Sequence, residues 1–319
     1  MTTYIIRRLL QALVVVIGCS IVTFIIIHAL PGGPAQAMLG PRASPAQLRA
    51  FTVDNGYNKP FFVQYWRYVD GLLNGNLGYS YHYNQTVASL LAQDLPKTAV
   101  LIGLALAVAV LLALPLGVLQ AVRRNRPVDY ALTAASFVGY AMPSFWLGIL
   151  LILVFSIYLP WLPPEAPQGA TVSAVLQQPD AMILPVVTLT VISLGSYSRF
   201  VRSSSIENLA EDYVRTARAK GASEARVLFR HVLRNSLLPL ITLLGLNLPA
   251  LVSGAIIIES IFNYPGMGLL FWTAATTHDY PVLMGTSIVV AVATVLGNLL
   301  ADLLYAVADP RIRHARAAG

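Results

Sequence analysis

Between two long apolar runs, residues 203–239 read SSSIENLAEDYVRTARAKGASEARVLFRHVLRNSLLP. Charged residues are dense in this stretch, whereas the sequence on either side is almost uncharged. Its first half has apolar residues at helical spacing, which predicts one amphipathic helix with a single apolar stripe. The stripe consists of Ile206, Leu209, Ala210, Tyr213 and Ala217.

A second amphipathic helix is predicted directly after the first. Gly221 suits the end of a helix because glycine readily adopts a positive φ, and Ser223 suits the N-cap of the next helix. Two short helices that meet at a glycine between membrane spans are suited to docking a soluble partner. The second helix has Ala225, Leu228, Val232 and Ser236 on one face and Arg226, Arg230 and Arg234 on another.

Composition excludes a soluble domain. Of 319 residues, 56% are hydrophobic and 11% are charged, against about 25% charged in ordinary soluble domains. The apolar residues form runs of about 20, long enough to cross a bilayer as helices. A single cysteine rules out disulfides within the chain. No glycine-rich phosphate loop is present, so the chain does not bind ATP by that route.

The apolar runs predict an all-α membrane protein with six transmembrane helices. One re-entrant or interfacial helix is expected at 269–277. We divide the chain into an N-terminus with the first span at 1–30, an extracytoplasmic segment at 31–95 and a core at 96–319, which contains the two-helix element at 203–236. Within the extracytoplasmic segment, aromatic spacing predicts a helix at 61–73. The predicted spans are 9–30, 97–122, 130–159, 181–200, 237–261 and 281–306.

Lysine and arginine are distributed unevenly between the two sides of these spans. Sixteen of the 21 basic residues fall in one set of connections and five in the other. The basic set faces the cytoplasm by the positive-inside rule, so both termini and the two-helix element are expected there. This distribution also explains the net charge of +7 without a nucleic acid partner.

Ionisable residues within the spans are few, namely His28, Glu259 and Asp302. No second charge lies beside any of them at helical spacing, and the histidines lack metal-ligand spacing. The sequence therefore predicts neither a catalytic site nor a metal site. Polar residues in the spans are candidates for a transport pathway, with hydrogen bonding between helices as the alternative. The pathway candidates are Asn247, Asn298, Glu259, Ser193 and Ser196.

The chain resembles the first of the two permeases of dipeptide and oligopeptide ABC importers, in the binding-protein-dependent transport family. The resemblance extends over nearly the whole length, and the order and spacing of the motifs make it specific. The motifs are HALPGGP at 28–34, QYWRY at 64–68, GNLG at 75–78, YVRTARAKG at 213–221, RHVLRNSLLP at 230–239, ESIFNYPGMG at 259–268, DYP at 279–281 and DPRIR at 309–313.

This resemblance implies a type I importer permease in a bacterial cytoplasmic (inner) membrane. It implies a second homologous permease, an extracytoplasmic solute-binding protein, a peptide substrate and two ATPase subunits, which would hold the ATP and magnesium; no cofactor is expected in this chain. The two-helix element would contact the ATPases. The residues carried over to that role are Tyr213, Arg215, Thr216, Ala217, Lys220, Gly221, Ala222 and Arg226.

Three departures from the family pattern are visible. Arg215 occupies the position of the family's usual glutamate, Gly32-Gly33-Pro34 replaces a frequent Gly-Asp-Pro, and the connection at 161–168 differs. The alternatives are the same permease type carrying a nickel chelate or glutathione, a secondary transporter working alone, and a purely structural membrane subunit.

Overall fold

The computed structural model describes residues 2–28, 33–40 and 43–308. Within these residues, four helices are long and apolar enough to cross a membrane, and a bent pair of helices raises the number to five. The first helix, α1 (Thr2–His28), adds a shorter apolar run, Leu10–Ile26. The prediction of a multi-span helical protein is therefore confirmed at this coarser level.

The segment after α1 contains short helices and a small hairpin. Its helices are α2 (Gly33–Leu39), α3 (Pro45–Asp54) and α4 (Phe61–Leu73), and the hairpin pairs β1 (Tyr79–Ser80) with β2 (Gln85–Thr86). The helix predicted at 61–73 from aromatic spacing is confirmed as α4. The strands are too short to show an alternating pattern, which is why the all-α prediction missed them.

Helices α5 (Val87–Val122) and α9 (Pro179–Ala210) form the most extensive helix pair of the fold. Their close approach comes from small residues spaced four apart on α5. At the last of these, Gly117, an added Cβ would lie 2.6 Å from the Cβ of Val201. Helix α5 begins ten residues before the predicted start at 97, because Pro96 is accommodated inside it. The small residues are Ala105, Ala109, Ala113 and Gly117.

The predicted third span, 130–159, is two helices rather than one kinked helix. Helix α6 (Pro127–Ala141) and helix α7 (Ser144–Ile152), which continues as a π-helical turn at Leu153–Tyr158, are bent by 99°. Met142 lies at the break in an extended conformation, with ψ 132°. Pro143 causes the break, because proline disfavours helical geometry in the residue before it and has no N–H to donate. A short helix, α8 (Val172–Leu176), precedes α9.

The predicted fifth span, 237–261, is also interrupted. Helices α12 (Leu233–Asn247) and α13 (Ala250–Ser253) end at Gly254, and α14 (Ile256–Ile261) follows. Gly254 has φ +80°, a conformation that glycine adopts without strain. The expected helix at 269–277 is confirmed as α15 (Met267–Thr277), and the last span as α16 (Tyr280–Ala308).

Candidate functional site

The two-helix element at 203–236 is the main candidate site, and its first helix differs from the prediction. The expected continuous helix is wrong, because α9 ends at Ala210 and a separate helix, α10, covers Asp212–Ala219. Glu211 between them is extended, with ψ 148°. The Tyr213 hydroxyl donates a 2.6 Å hydrogen bond across the break to the Asn208 side chain. The apolar spacing continued through 211 and hid this break.

The turn after α10 is built as predicted. Gly221 has φ +78°. Ser223 is the N-cap of the next helix, α11 (Glu224–Arg226), and its hydroxyl accepts a hydrogen bond from the amide of Arg226. Arg218 spans the turn with two hydrogen bonds to Glu224, of 2.9 and 3.1 Å. These bonds hold the pKa of the Arg218 guanidinium above its usual range. The turn is therefore closed by a bidentate ion pair that sequence reasoning missed.

The element has its own small apolar core. Val214 and Ala217 of α10 pack on Val227 and Val232, which lie in a π-helical turn, Val227–Val232, between α11 and α12. Ala217 thus faces the inside of the element. The predicted face of the second helix is correct for Val232 but wrong for Ala225, which is exposed. The π-helical turn changes the helical phase, so that Val227 takes the buried place.

The outer surface of the element is basic and carries one large apolar side chain. The Thr216 hydroxyl is bonded to the carbonyl of Asp212 in its own helix. Phe229 is 73% exposed. A phenylalanine on the arginine-bearing face of the second helix was the available sequence signal, and it was overlooked. Residues of this surface that the sequence singled out are Arg215, Thr216, Lys220, Gly221 and Arg226, while Tyr213 and Ala222 are half-buried.

Among the pathway candidates, Asn247 and Asn298 lie at the crossing of α12 and α16. An added Cβ on Gly297 would lie 3.1 Å from the ring of Pro249, which places both asparagines beside this tight contact. Asn298 is exposed, whereas the Asn247 amide donates a 2.8 Å bond to Leu243 O. The structure does not bring the other candidates to this crossing: Ser193 and Ser196 lie half-buried on α9.

Glu259 is fully buried at the interruption of the fifth span. One carboxyl oxygen accepts hydrogen bonds from the amides of Gly268 (2.7 Å) and Leu269 (3.1 Å). The other accepts from the amide of Ala255 (3.0 Å) and the hydroxyl of Thr98 (3.1 Å). The side chain therefore links the broken helix, the start of α15 and α5.

A cavity of about 360 Å³ lies between the C-terminal end of α1, the segment after it and the start of α16. His28 contacts Gln64 Oε1 at 3.0 Å on one side of it, and Arg67 and Tyr280 also line it. Burial, and to a lesser extent Tyr81, raises the pKa of Tyr57 to about 12, so this phenol stays neutral. The aromatic residues of α4 fall into two groups here: Tyr65 and Tyr68 pack against a small core, while Phe62 and Trp66 are exposed.

Within the described residues, no group of three or more histidine, cysteine, aspartate or glutamate side chains is placed to hold a metal ion. The side chain of Asp302 and the DPRIR motif at 309–313 lie outside the described residues, as do residues 29–32 of the HALPGGP motif.

Long apolar helices joined to a compact, basic two-helix element define the membrane-embedded subunit of a transport system. The sequence from 113 to 314 matches the family model described as "Binding-protein-dependent transport system inner membrane component", and residues 1–102 match the model of its N-terminal part. The chain belongs to this family. It is therefore a non-catalytic, multi-pass component of the inner membrane, as the sequence predicted.

Relatives match this chain from end to end. It is 40% identical over 316 residues to "Oligopeptide transport system permease protein AppB" of Bacillus subtilis, covering 98% of this chain and all of that one. Identity is 38% to OppB, the oligopeptide permease of Haemophilus influenzae, and 36% to DppB, the dipeptide permease of Escherichia coli. Both alignments cover 98% of this chain and at least 99% of the relative.

A solved structure supports the fold. The chain superposes on one from the "Crystal structure of an amino acid ABC transporter with histidines" with a TM-score of 0.50 and 16% identity. The superposition covers 70% of this chain and 94% of that one. At this identity the likeness extends to the fold alone, which is that of an ABC transporter permease.

Proposed function

We propose that this chain is the permease subunit through which an ATP-driven importer passes short peptides into the cytoplasm. The observation that carries the proposal is the two-helix element, with its own apolar core and its exposed basic surface. The substrate class comes from the relatives, whose names describe oligopeptide and dipeptide transport. These names do not favour a nickel, glutathione or ion-driven carrier.

The proposed topology has six spans, with both termini and the two-helix element in the cytoplasm and the segment 31–95 outside. The uneven distribution of lysine and arginine supports this orientation. Six spans result when α1 and the bent pair α6–α7 each count as one crossing and are added to the four long apolar helices. Cysteine accessibility at Ser44 and at Ser223 tests it, since the two positions should react from opposite sides.

The proposed assembly contains a second homologous permease, two ATPase subunits that bind ATP and magnesium, and an extracytoplasmic binding protein that delivers the peptide. The two-helix element would seat in an ATPase subunit with Arg215, Lys220 and Arg226 at the rim of the contact. Phe229 would be the buried anchor, because aromatic side chains dominate the energetics of protein interfaces. Asn247, Asn298, Glu259, Ser193 and Ser196 remain candidates for the pathway.

The first experiment isolates the tagged chain in mild detergent and measures which subunits and which ATPase activity come with it. We expect a second permease and two ATPases, with activity that rises when binding protein and peptide are added. The proposal would be contradicted if the chain were recovered alone and if vesicles reconstituted with it took up solute driven by an ion gradient.

A matched pair of variants tests the docking surface. Phe229→Ala removes the exposed ring of the two-helix element, and Phe62→Ala removes a ring of equal exposure, 74%, from α4. We expect Phe229→Ala to release the ATPases at least tenfold faster, since a buried aromatic anchor contributes about 2 kcal/mol or more. Phe62→Ala should leave ATPase retention unchanged. Equal retention in both variants would remove Phe229 from the contact.

The turn of the element provides a second test. Gly221→Pro is incompatible with φ +78°, and deletion of 213–230 removes the element. Both changes should abolish uptake while the complex still reaches the membrane. Normal uptake with either variant would defeat the assignment of this element to ATPase docking.

A further inference from the structure

A second, smaller cavity lies between α5, α6 and α9. It is near the basic loop 123–126, which joins the end of α5 to the start of α6. Its volume is about 160 Å³, and its lining is rich in hydroxyl groups and arginine. None of the candidate pathway residues lines this cavity. Its lining residues also lie outside the two-helix element at 203–236. The polar lining residues are Gln120, Thr133, Ser136, Ser198, Arg199 and Arg202.

The two arginines of the cavity differ in what they bind. Arg202 donates two 2.8 Å hydrogen bonds to Asp129, which is buried, so its charge is largely compensated within the chain. Arg199 has no acidic partner in the described part of the chain. Its guanidinium carbon lies 5.6 Å from the centre of the Tyr140 ring and 6.0 Å from that of Phe200. The cavity therefore has an uncompensated positive charge at its edge.

An unpaired acceptor lies deeper in the same cavity. Gln120 is 2% exposed, and its Oε1 has no hydrogen-bond partner. The orientation of its amide follows from the neighbouring network. The Thr133 hydroxyl donates to Asp129 (3.3 Å), and it therefore accepts from Gln120 Nε2 (3.5 Å). A buried acceptor without a donor is costly, so this position calls for a ligand that carries a hydroxyl or an amine.

The mouth of the cavity is apolar. Phe137 lines it and is 64% exposed, and Tyr140 beside it is half exposed. Both belong to α6, a helix of the bent pair that counts as a membrane span. A soluble anion gains nothing from such an entrance, whereas an acyl chain packs against it. The depth of the cavity in the membrane also fits a lipid, because arginines at the ends of spans lie at the headgroup layer.

We propose that this cavity binds the headgroup of an anionic glycerophospholipid from the cytoplasmic leaflet. Arg199 would hold the phosphate, with the Ser136 hydroxyl, which accepts a hydrogen bond from Ser198 (3.3 Å), as a further donor. Gln120 Oε1 would accept from a headgroup hydroxyl. Basic pockets between transmembrane helices on the cytoplasmic side are suited to such headgroups. The assignment to the cytoplasmic leaflet rests on the membrane orientation proposed above, whereas the binding chemistry does not depend on it.

The test titrates the purified complete importer with phosphatidylglycerol or phosphatidylcholine and counts bound lipids by native mass spectrometry. Both lipids have a phosphate, but phosphatidylglycerol has a net negative charge for Arg199 and hydroxyls for Gln120, whereas phosphatidylcholine is zwitterionic and its headgroup has no hydroxyl. We expect the wild-type complex to bind phosphatidylglycerol more tightly. Arg199→Gln should weaken this binding about fivefold, as expected for one basic residue at an anionic membrane surface. Gln120→Leu should reduce the advantage of phosphatidylglycerol over phosphatidylcholine by the part that its hydroxyls contribute and leave the binding of phosphatidylcholine unchanged.

Arg124→Gln is the matched control, because it removes the same charge from an exposed position of the neighbouring loop, outside the cavity. It should bind lipid as the wild type does. Equal losses in Arg124→Gln and Arg199→Gln would overturn the site in favour of general surface charge. Displacement of the lipid by millimolar inorganic phosphate would overturn a lipid as the ligand. Lipid counting needs no transport, so its result is separate from that of the uptake experiments.

Discussion

Replacement of Glu259 separates a structural role from a role in the transport pathway. In Glu259→Gln the side chain has a single oxygen, and this oxygen has to face the two backbone N–H donors of Gly268 and Leu269. The side-chain nitrogen then faces Thr98 and the amide of Ala255. Thr98 Oγ1 already accepts from the amide of Met267, and if it also accepts from this nitrogen, its own hydroxyl proton loses its acceptor. Two donors, the Thr98 O–H and the Ala255 N–H, are then left without a partner.

Each orphaned donor costs about 1–3 kcal/mol, so the two together cost at least about 2 kcal/mol. The free energy of unfolding should fall by about 2 kcal/mol, which lowers the midpoint of thermal unfolding by roughly 4–8 °C for a unit of 150–250 residues. Glu259→Ala leaves three backbone donors without an acceptor and should cost at least about 3 kcal/mol. Both changes are measured by heating the purified complex and recording the folded fraction as a function of temperature.

Glu165→Gln is the control, since Glu165 is exposed and its replacement should change stability by less than about 0.5 kcal/mol. The reasoning is refuted if Glu259→Gln unfolds at the temperature of the control. If uptake then falls while the unfolding midpoint stays constant, Glu259 acts on the substrate, and its pathway role gains support.

Three further changes have expected outcomes. Gly221→Ala should cost roughly 1 kcal/mol in the turn because of its positive φ, and it should lower uptake less than proline does; transport assays compare the two. Asp129→Asn weakens a bidentate pair with a buried carboxylate and should cost about 2 kcal/mol in thermal unfolding, whereas Asp212→Asn, in an exposed pair, should cost under about 0.5. Gly117→Ala should lower the unfolding midpoint, because its Cβ meets α9, whereas Gly18→Ala, with open space around it, should not.

Hydrophobic runs and turn chemistry predicted most of the helices correctly. The positive φ of Gly221 and the cap at Ser223 follow from local residue preferences, and both are present. The aromatic spacing of α4 was equally informative. These features depend on a few neighbouring residues, and for that reason the sequence alone is sufficient for them.

Interruptions of helices were harder to predict. Pro143 and Gly254 were visible in the sequence and mark where the helices break, but the presence of a breaking residue does not determine the angle of the bend, which is 99° at Pro143. At Glu211 no breaking residue signals the end of α9. The environments of Glu259 and Gln120 depend on partners in other helices, Thr98 of α5 for Glu259 and Thr133 of α6 for Gln120.

Helix α9 joins the membrane interior to the two-helix element without a break between Pro179 and Ala210. At 1.5 Å per residue its 32 residues form a rod of about 48 Å. If the rod pivots as one body at its Ala210 end, beside the extended Glu211, a tilt of about 5° moves its Pro179 end by roughly 4 Å, which is close to the width of a peptide backbone. In the proposed topology, small rotations at the cytoplasmic side would thereby become displacements at the far side of the membrane that are large enough to admit or exclude a substrate.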